Sequence, residues 1–561
     1  MSGLFGGPAP RWFNIPAHRP FAEDLARGLH AALSPLGPEA LSQATVLTPT
    51  RRGARALADA FVAAAEGRAV LPPQMRPLGD LEEGEPPFEP GDLALDLPVA
   101  IEPLRRRFEL TRLVVGHADL LPGRELTAAS ALELGEALGG FLDSLQIEEI
   151  AAGDRLADLV EADLAEHWRL SRDFLEAALR EWPRRLAELG VIDVSERRVR
   201  LLRKLAEAWT LRPPQGVLVA AGSTGTAPAT ADLLRVIAEA PQGCVVLPGL
   251  DDSLAEDAWL RVGEQHPQGA IRRLLARAGV DRRDVATWPA SQGFVAEARW
   301  RRRVINEALR PAEATADWLR AIDQLREEGL SEDLDPIEVG LSGLSLISAR
   351  NEEEAATVAA LLLRETLETP EHTAALVTPD QTLARRVTAK LARWGVIPDS
   401  SAGEALAGCR CGALAALIAR LAVESTDPVS LLAVLKHPFV RLGLTGETLA
   451  RQAQALERHA LRGARTDGWE ALAAKLEAAR AKSPARAPEI DAAEALLARL
   501  QTALSPLVEV FESETPPQSS LPRSGPAKGR IRGDSSPAAR RSIYGPDPPP
   551  RSGGGGSRSE T

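Results

Sequence analysis

The sequence predicts an α/β fold built on parallel sheets, with long helical insertions. Three observations predict it. The stretch Gly216–Asp252 (GVLVAAGSTGTAPATADLLRVIAEAPQGCVVLPGLDD) reads strand, small-residue turn, helix, strand. So short a return to a second buried strand is a βαβ unit, whose strands run parallel. The N-terminal stretch repeats the pattern, with RWFNIP at 11–16 and ATVLTPT at 44–50 on either side of a helical segment. Between and after these units, apolar residues recur every three and four positions, as in LVEADLAEHWRLSRDFLEAALREW, which is helical spacing.

In chain order, Arg11–Pro16 is a short first strand and Phe21–Leu33 a helix with Leu25, Leu29 and Leu33 on one face. Ala44–Thr50 is a strand, and Arg51-Arg52 opens a helix through Leu57 and Phe61 that ends near Ala65. Residues 70–98 are rich in Pro, Gly and acids and form an extended connection. Residues 99–212 are mostly helical. Gly216–Ala221 and Gly243–Leu247 are buried strands around a helix at Ala229–Ala240, with Pro228 suited to its first turn. Residues 251–335 read as helical with a mobile acidic middle. Leu344–Ser348 begins a second α/β segment, followed by a helix with Asn351-Glu352-Glu353-Glu354 in its first turn, where acids suit the macrodipole. A strand at Ala374–Thr378 and a helix with Arg385, Arg386 and Trp394 complete that segment, and residues 403–510 are helical. From about residue 513 the chain is basic and nearly devoid of apolar residues, so disorder is expected.

With 561 residues the chain exceeds one core, and roughly three or four domains are expected. A net charge of −12 excludes a generic polyanion binder, so any nucleic-acid contact must come from a local basic strip. Three Cys (Cys244, Cys409, Cys411) exclude a disulfide framework and fit a reducing cytosol. The N-terminal MSGLFGGPAPRWFNIP does not read as a signal peptide, and no apolar run approaches membrane-spanning length. The expected location is cytoplasmic, with no membrane partner.

The loop after the first strand, Pro16–Phe21 (PAHRPF), does not read as a phosphate-binding P-loop. No Gly-Lys pair occurs anywhere in the chain, and Pro16 and Pro20 remove two N–H donors. The loop Gly222, Ser223, Thr224, Gly225, Thr226 could form a phosphate nest before its helix, but reads better as a tight turn packing helix on sheet. Asp251 and Asp252 follow the next strand, where capping or solvent exposure suits them better than metal binding. Thr48, Thr50, Arg51 and Arg52 put hydroxyls and two cations at a strand-to-helix turn, a chemistry suited to the phosphates of a single strand and equally to a solvated helix start. Arg105–Arg107 and Arg301–Arg303 read as solvated clusters, and Cys409-x-Cys411 lacks the second pair a metal site needs. There is no G-x-S-x-G and no HExxH.

In order, RWFNIP, ATVLTPTRRGARALADAF, LLPPQMRPLGDLEE and the whole of Gly216–Asp252 resemble the AddB-type subunits of the bacterial AddAB (RecBCD-like) helicase–nucleases, as found in alphaproteobacteria. SARNEEEAATVAALLLRETLE, AALVTPDQTLARRVTAKLARWGV, PDSSAGEAL, LLAVLKHPF and LERHALRGAR extend the resemblance, which spans roughly residues 10–510. It implies two RecA-like, superfamily 1 helicase-like domains that have lost their motor chemistry. The first would comprise 1–98 and 205–335 with a helical insertion at 99–204, and the second would begin at 336–402 with a helical insertion at 403–512. VLTPTRRGARAL stands where such helicases carry a DNA-contacting motif, GVLVAAGSTGT where they carry Walker B acids, and LPGLDD where the next motif places a Gln. The resemblance implies DNA contact at Thr48, Thr50, Arg51 and Arg52, then at Arg350, Arg385 and Arg386. Gly222–Thr226, Asp251 and Asp252 become degenerate nucleotide-site positions, with no catalytic or metal-binding residue in this chain. ATP would be handled by an AddA-type motor partner in a heterodimer acting on DNA ends and single-stranded DNA. The family's nuclease domain, with Mg²⁺ and often an iron–sulfur cluster, has no counterpart after about residue 511, so 513–561 is expected to be a frameshifted or truncated translation. Two alternatives stay open: a nucleotide- or phosphosugar-binding transferase using 222–226, and a structural interaction protein.

Overall fold

A computed structural model describes residues 4–512, apart from 38, 79–96, 122–125, 152–165, 293–295, 315–317 and 404. Much of the acidic connection and the whole basic tail lie outside the described residues. The chain divides into two compact units, Met1–Ile347 and Ser348–Thr561.

The first unit is organised on one six-stranded, wholly parallel sheet: β1 (Trp12–Ile15), β2 (Thr45–Thr48), β3 (Gln74–Pro77), β4 (Leu218–Ala221), β5 (Gly243–Pro248) and β6 (Ala286–Thr287). Their order across the sheet is β3-β2-β4-β5-β1-β6. The α/β expectation holds here, and β1, β2, β4 and β5 form where strands were expected. β3 and β6 were not expected. Both are edge strands, and QMRP and AT carry no apolar run that would mark them.

Strand order and handedness together fix which helices cover which face. The β1→β2 and β2→β3 connections travel towards one edge, and β3→β4, β4→β5 and β5→β6 towards the other. Right-handed crossovers travelling in opposite directions place their helices on opposite faces. Accordingly α1 (Phe21–Leu33) and α2 (Arg51–Ala64) pack together on one face. There Leu25, Leu29, Leu57 and Phe61 meet Ile15, Val46, Val219 and Val246. On the other face Trp12, Leu47, Leu218, Val245 and Leu247 meet the helices of the rightward crossovers. Successive strand residues are thus buried on alternate faces, which is why these strands are nearly continuous apolar runs.

The β3→β4 connection carries α3 (Pro103–Gly116), α4 (Ala128–Ile147), α5 (Glu166–Leu189) and α6 (Val194–Leu211). Helices α3 to α5 have their own core, with Leu110, Val114, Leu138, Leu142 and Trp182 buried. Their entry and exit are joined by Ile101 N–H donating to Ile192 O (2.9 Å) and Ile192 N–H to Val99 O (3.0 Å). At this neck the buried Asp193 accepts from Trp182 Nε1 (2.7 Å) and Gln146 Nε2 (3.1 Å) and pairs with Arg106 (2.7 Å). α6 then packs on α7 (Pro228–Glu239), and α9 (Gly269–Ala278), after the short α8 (Glu256–Leu260), packs on α7 from the other side. α10 (Ala296–Ala308), α11 (Trp318–Gly329) and α12 (Pro336–Leu341) close the unit. The Arg301–Arg303 cluster is not a solvated strip: Arg301 donates to Gly340 O (3.0 Å), Arg302 pairs with Asp252 (2.9 Å) and Arg303 with Glu328 (2.9 Å).

The second unit holds α13 (Glu352–Thr366) packed on α14 (Gln381–Ala392), then a helical group of α15 (Arg410–Val423), α16 (Pro428–Leu435), α17 (Gly446–Leu456), α18 (Trp469–Lys482) and α19 (Ala487–Glu512). Leu431, Leu435, Leu449, Leu456, Ile490, Leu496 and Leu500 form the core of that group. The strands expected at Leu344–Ser348 and Ala374–Thr378 do not form. Both segments run outside helix and strand, and no ladder pairs either with another described segment, without which apolar composition alone makes no strand. Their side chains are exposed, Leu346 at 97% and Val377 at 93%.

Candidate nucleic-acid interface

In an open α/β sheet the ligand crevice lies beyond the carboxyl ends of two neighbouring strands whose connections leave in opposite directions. Two neighbouring pairs meet this condition, β2 with β4 and β5 with β1; at the first, β2 leads to one edge and β4 to the other. The loops that meet there are Pro49-Thr50 after β2 and Gly222–Ala227 after β4, with Phe21 at the start of α1 beside them. A methyl group placed on Gly222 would lie 3.4 Å from the Phe21 ring and 3.7 Å from Pro49. The crevice mouth is therefore lined by an aromatic ring and a proline, groups that offer a phosphate no N–H donor.

The loop after β4 is a packed turn. Gly222 (φ 79°) donates its N–H to Val246 O at 3.0 Å, and Gly225 (φ 57°) donates to Ser223 Oγ at 3.3 Å. A side chain at Gly225 would come within 2.7 Å of Leu274. Thr226 spends its carbonyl on Arg273 (2.8 Å). Two of the N–H groups a phosphate nest would need are thus already engaged, and the tight-turn reading of 222–226 accounts for its glycines. Asp251 caps the next turn, its Oδ1 accepting from Ser253 N, Leu254 N and Asn306 Nδ2 at 2.9–3.0 Å, and Asp252 is paired with Arg302. Among the described residues no group of three His, Cys, Asp or Glu side chains is placed to hold a metal ion.

The Thr48–Arg52 turn divides its side chains between architecture and surface. Thr48 is 3% exposed and its hydroxyl donates to Thr50 O at 3.1 Å. Thr50 is the N-cap of α2, its Oγ1 accepting from Gly53 N at 3.0 Å. Both hydroxyls therefore serve the turn. Arg51 and Arg52 follow in the first helical turn and are exposed. Cations at this end run against the helix macrodipole. In the second unit, Arg350 pairs with Glu354 (3.1 Å) and Arg386 with Glu352 (3.0 Å), both acids in the first turn of α13. Arg385 donates to Gln381 O at 3.3 Å.

Two groups near the sheet's carboxyl end were not singled out in the sequence. Asp24 is fully buried. Burial by itself would raise its pKa, but donors from Arg19 (2.7 Å) and Ser291 (2.7 Å), with Arg27 alongside, hold it below the usual carboxylate range. His18 is pushed below the ordinary imidazole value, first by burial and then by Arg302 and Arg19, so the ring favours its neutral form. The sequence signal was a lone histidine and a helix-start acid, neither of which carries a spacing motif.

No helix among the described residues is long and apolar enough to cross a membrane. Comparison with known protein families gives no match, and neither does comparison with curated proteins.

Proposed function

We propose that this chain is a non-motor, DNA-binding subunit of an ATP-dependent helicase–nuclease that processes double-strand breaks for recombination, with an AddA-type motor as its partner. The observation that carries the reading is the β2/β4 crevice. It has the topology of a nucleotide site, yet Phe21, Pro49 and the packed 222–226 turn occupy its mouth, while Arg51 and Arg52 stand exposed at its rim. A sheet so arranged keeps the framework of a RecA-like domain without the means to hold ATP, and presents cations to a polyanion. In this reading residues 336–402 belong to a second RecA-like domain, ATP is hydrolysed by the partner, and the cytoplasm is the working compartment.

The test is binding of single-stranded DNA by the full chain, alone and with the motor subunit, over a salt series. Arg51→Ala/Arg52→Ala is expected to weaken binding and to lower the salt slope by about 1.4, two phosphate contacts at ~0.7 each. Binding that ignores this double substitution overturns the assignment of the rim. The transferase alternative gains nothing from the crevice. A purely structural role gains from the exposed apolar segments, and predicts no DNA binding at all.

A further inference from the structure

The second unit carries a basic stretch of its own. Residues 436–465 hold six Lys and Arg against two Glu, in a protein of net charge −12. Within it a groove of about 560 Å³ runs between the 436–441 loop and α17, lined by Lys436, His437, Arg441, Arg451 and Gln454. Neither acid on this groove pairs with Arg441 or Arg451. Glu457 is held between Arg462 (2.9 Å) and Lys436 (3.4 Å), and Glu447 is a first-turn residue of α17. Arg451 makes no hydrogen bond or ion pair among the described residues, and Arg441 spends a single nitrogen on the Pro438 and Val440 carbonyls. Beside the groove Phe439 is 53% exposed, its ring edge-on to His437 at 5.4 Å. α17 ends in a π turn, Glu457–Leu461, closed by Arg462 N–H to Glu457 O at 3.1 Å, a feature that proteins retain mostly at working sites.

We infer that this groove is a second contact for single-stranded nucleic acid, in which Arg451 and Arg441 neutralise phosphates and Phe439 stacks a base. Exposed cations alone would suit any polyanion. The exposed aromatic ring beside them selects a strand with unstacked bases over an acidic polypeptide, because bases offer π-faces and glutamates do not. The inference rests on the nucleic-acid reading above, but on different residues in a different unit.

The experiment is fluorescence anisotropy of a labelled oligothymidylate with the full chain at several salt concentrations. Arg451→Gln is expected to weaken binding severalfold and to lower the salt slope by about 0.7. Phe439→Ala is expected to weaken it about fivefold or more, with Phe439→Trp restoring affinity. Both positions are exposed, and unchanged circular dichroism confirms the fold. If both variants bind as the parent does, with the parent slope, the inference is overturned, and loss confined to Arg51→Ala/Arg52→Ala then leaves only the sheet rim. Loss confined to the groove variants supports the inference and overturns the rim. Polyglutamate competing as well as the oligonucleotide, or no binding at low salt, also overturns it.

Discussion

The indole Nε1 of Trp288 donates to the main-chain oxygen of Asp24 at 2.9 Å, reaching it across the bare α-carbon of Gly28. A methyl group on Gly28 would sit 2.3 Å from that nitrogen, and the fully buried indole has nowhere to retreat. Gly28→Ala gains about 1 kcal/mol of helix propensity but meets a clash costing about 1–3 kcal/mol or more. The clash wins, and a lower denaturation midpoint for the first unit is expected. Gly140→Ala, with nothing within 4 Å of the new methyl, isolates the propensity term and is expected to raise it.

Asp232 is held at about 2, chiefly by the hydrogen bond from Arg277, with burial opposing and Arg203 assisting. A folded-state value below the ordinary 3.8 means that the unfolded chain takes up the proton first. The stabilisation is therefore full above about pH 4 and lost as pH falls towards 2, about 2 kcal/mol in all. Asp232→Asn is expected to lower stability at neutral pH and to flatten that acid limb, measured by urea titration at each pH.

Cys244 lies in β5, fully buried, and burial pushes its thiol up to about 12. A maleimide or aromatic disulfide reagent acts on the thiolate. In the native protein it is expected to modify the exposed Cys411 first and to leave Cys244 untouched until denaturant is added. Prompt native labelling of Cys244, read by peptide mass, would show β5 opening.

Val377 and Ile397 are each 93% exposed on segments of the second unit outside helix and strand. Replacing both with Lys is expected to change stability by no more than about 0.5 kcal/mol and to reduce self-association, since large exposed apolar side chains drive it. Light scattering and thermal melts together check this. A drop in melting temperature would reveal that these side chains are covered in solution.

The legible parts of this fold are those whose apolar pattern is self-contained. β1, β2, β4 and β5 are short apolar runs, and Leu25, Leu29 and Leu33 mark α1 by spacing alone. β3 and β6 escape because an edge strand is made by its neighbour's backbone, not by its own composition. Leu344–Ser348 and Ala374–Thr378 fail for the complementary reason, having the composition without a neighbour. At the site, the sequence put Thr48, Thr50, Arg51 and Arg52 on one turn. It could not say that both hydroxyls would be consumed by the turn and cap while Arg51 and Arg52 stay exposed. That division depends on φ and ψ at Thr50, a local geometry that residue types do not spell out. Arg301–Arg303 looked solvated because its partners, Gly340, Asp252 and Glu328, are remote in sequence.

The neck at Val99, Ile101 and Ile192 makes the α3–α5 block a closed cassette. The polypeptide leaves and re-enters at one point, and the block's core owes little to the sheet. β2, lying between β3 and β4, receives a strand from each side of the excursion, so the sheet senses only where the two ends arrive. Such an arrangement separates length from register: changes between Ile101 and Ile192 that keep Arg106, Gln146 and Trp182 on the buried Asp193 are expected to leave the strand ladder in place. The sheet and the block can thus diversify separately, one constrained by its ladder and the other free to explore new surfaces.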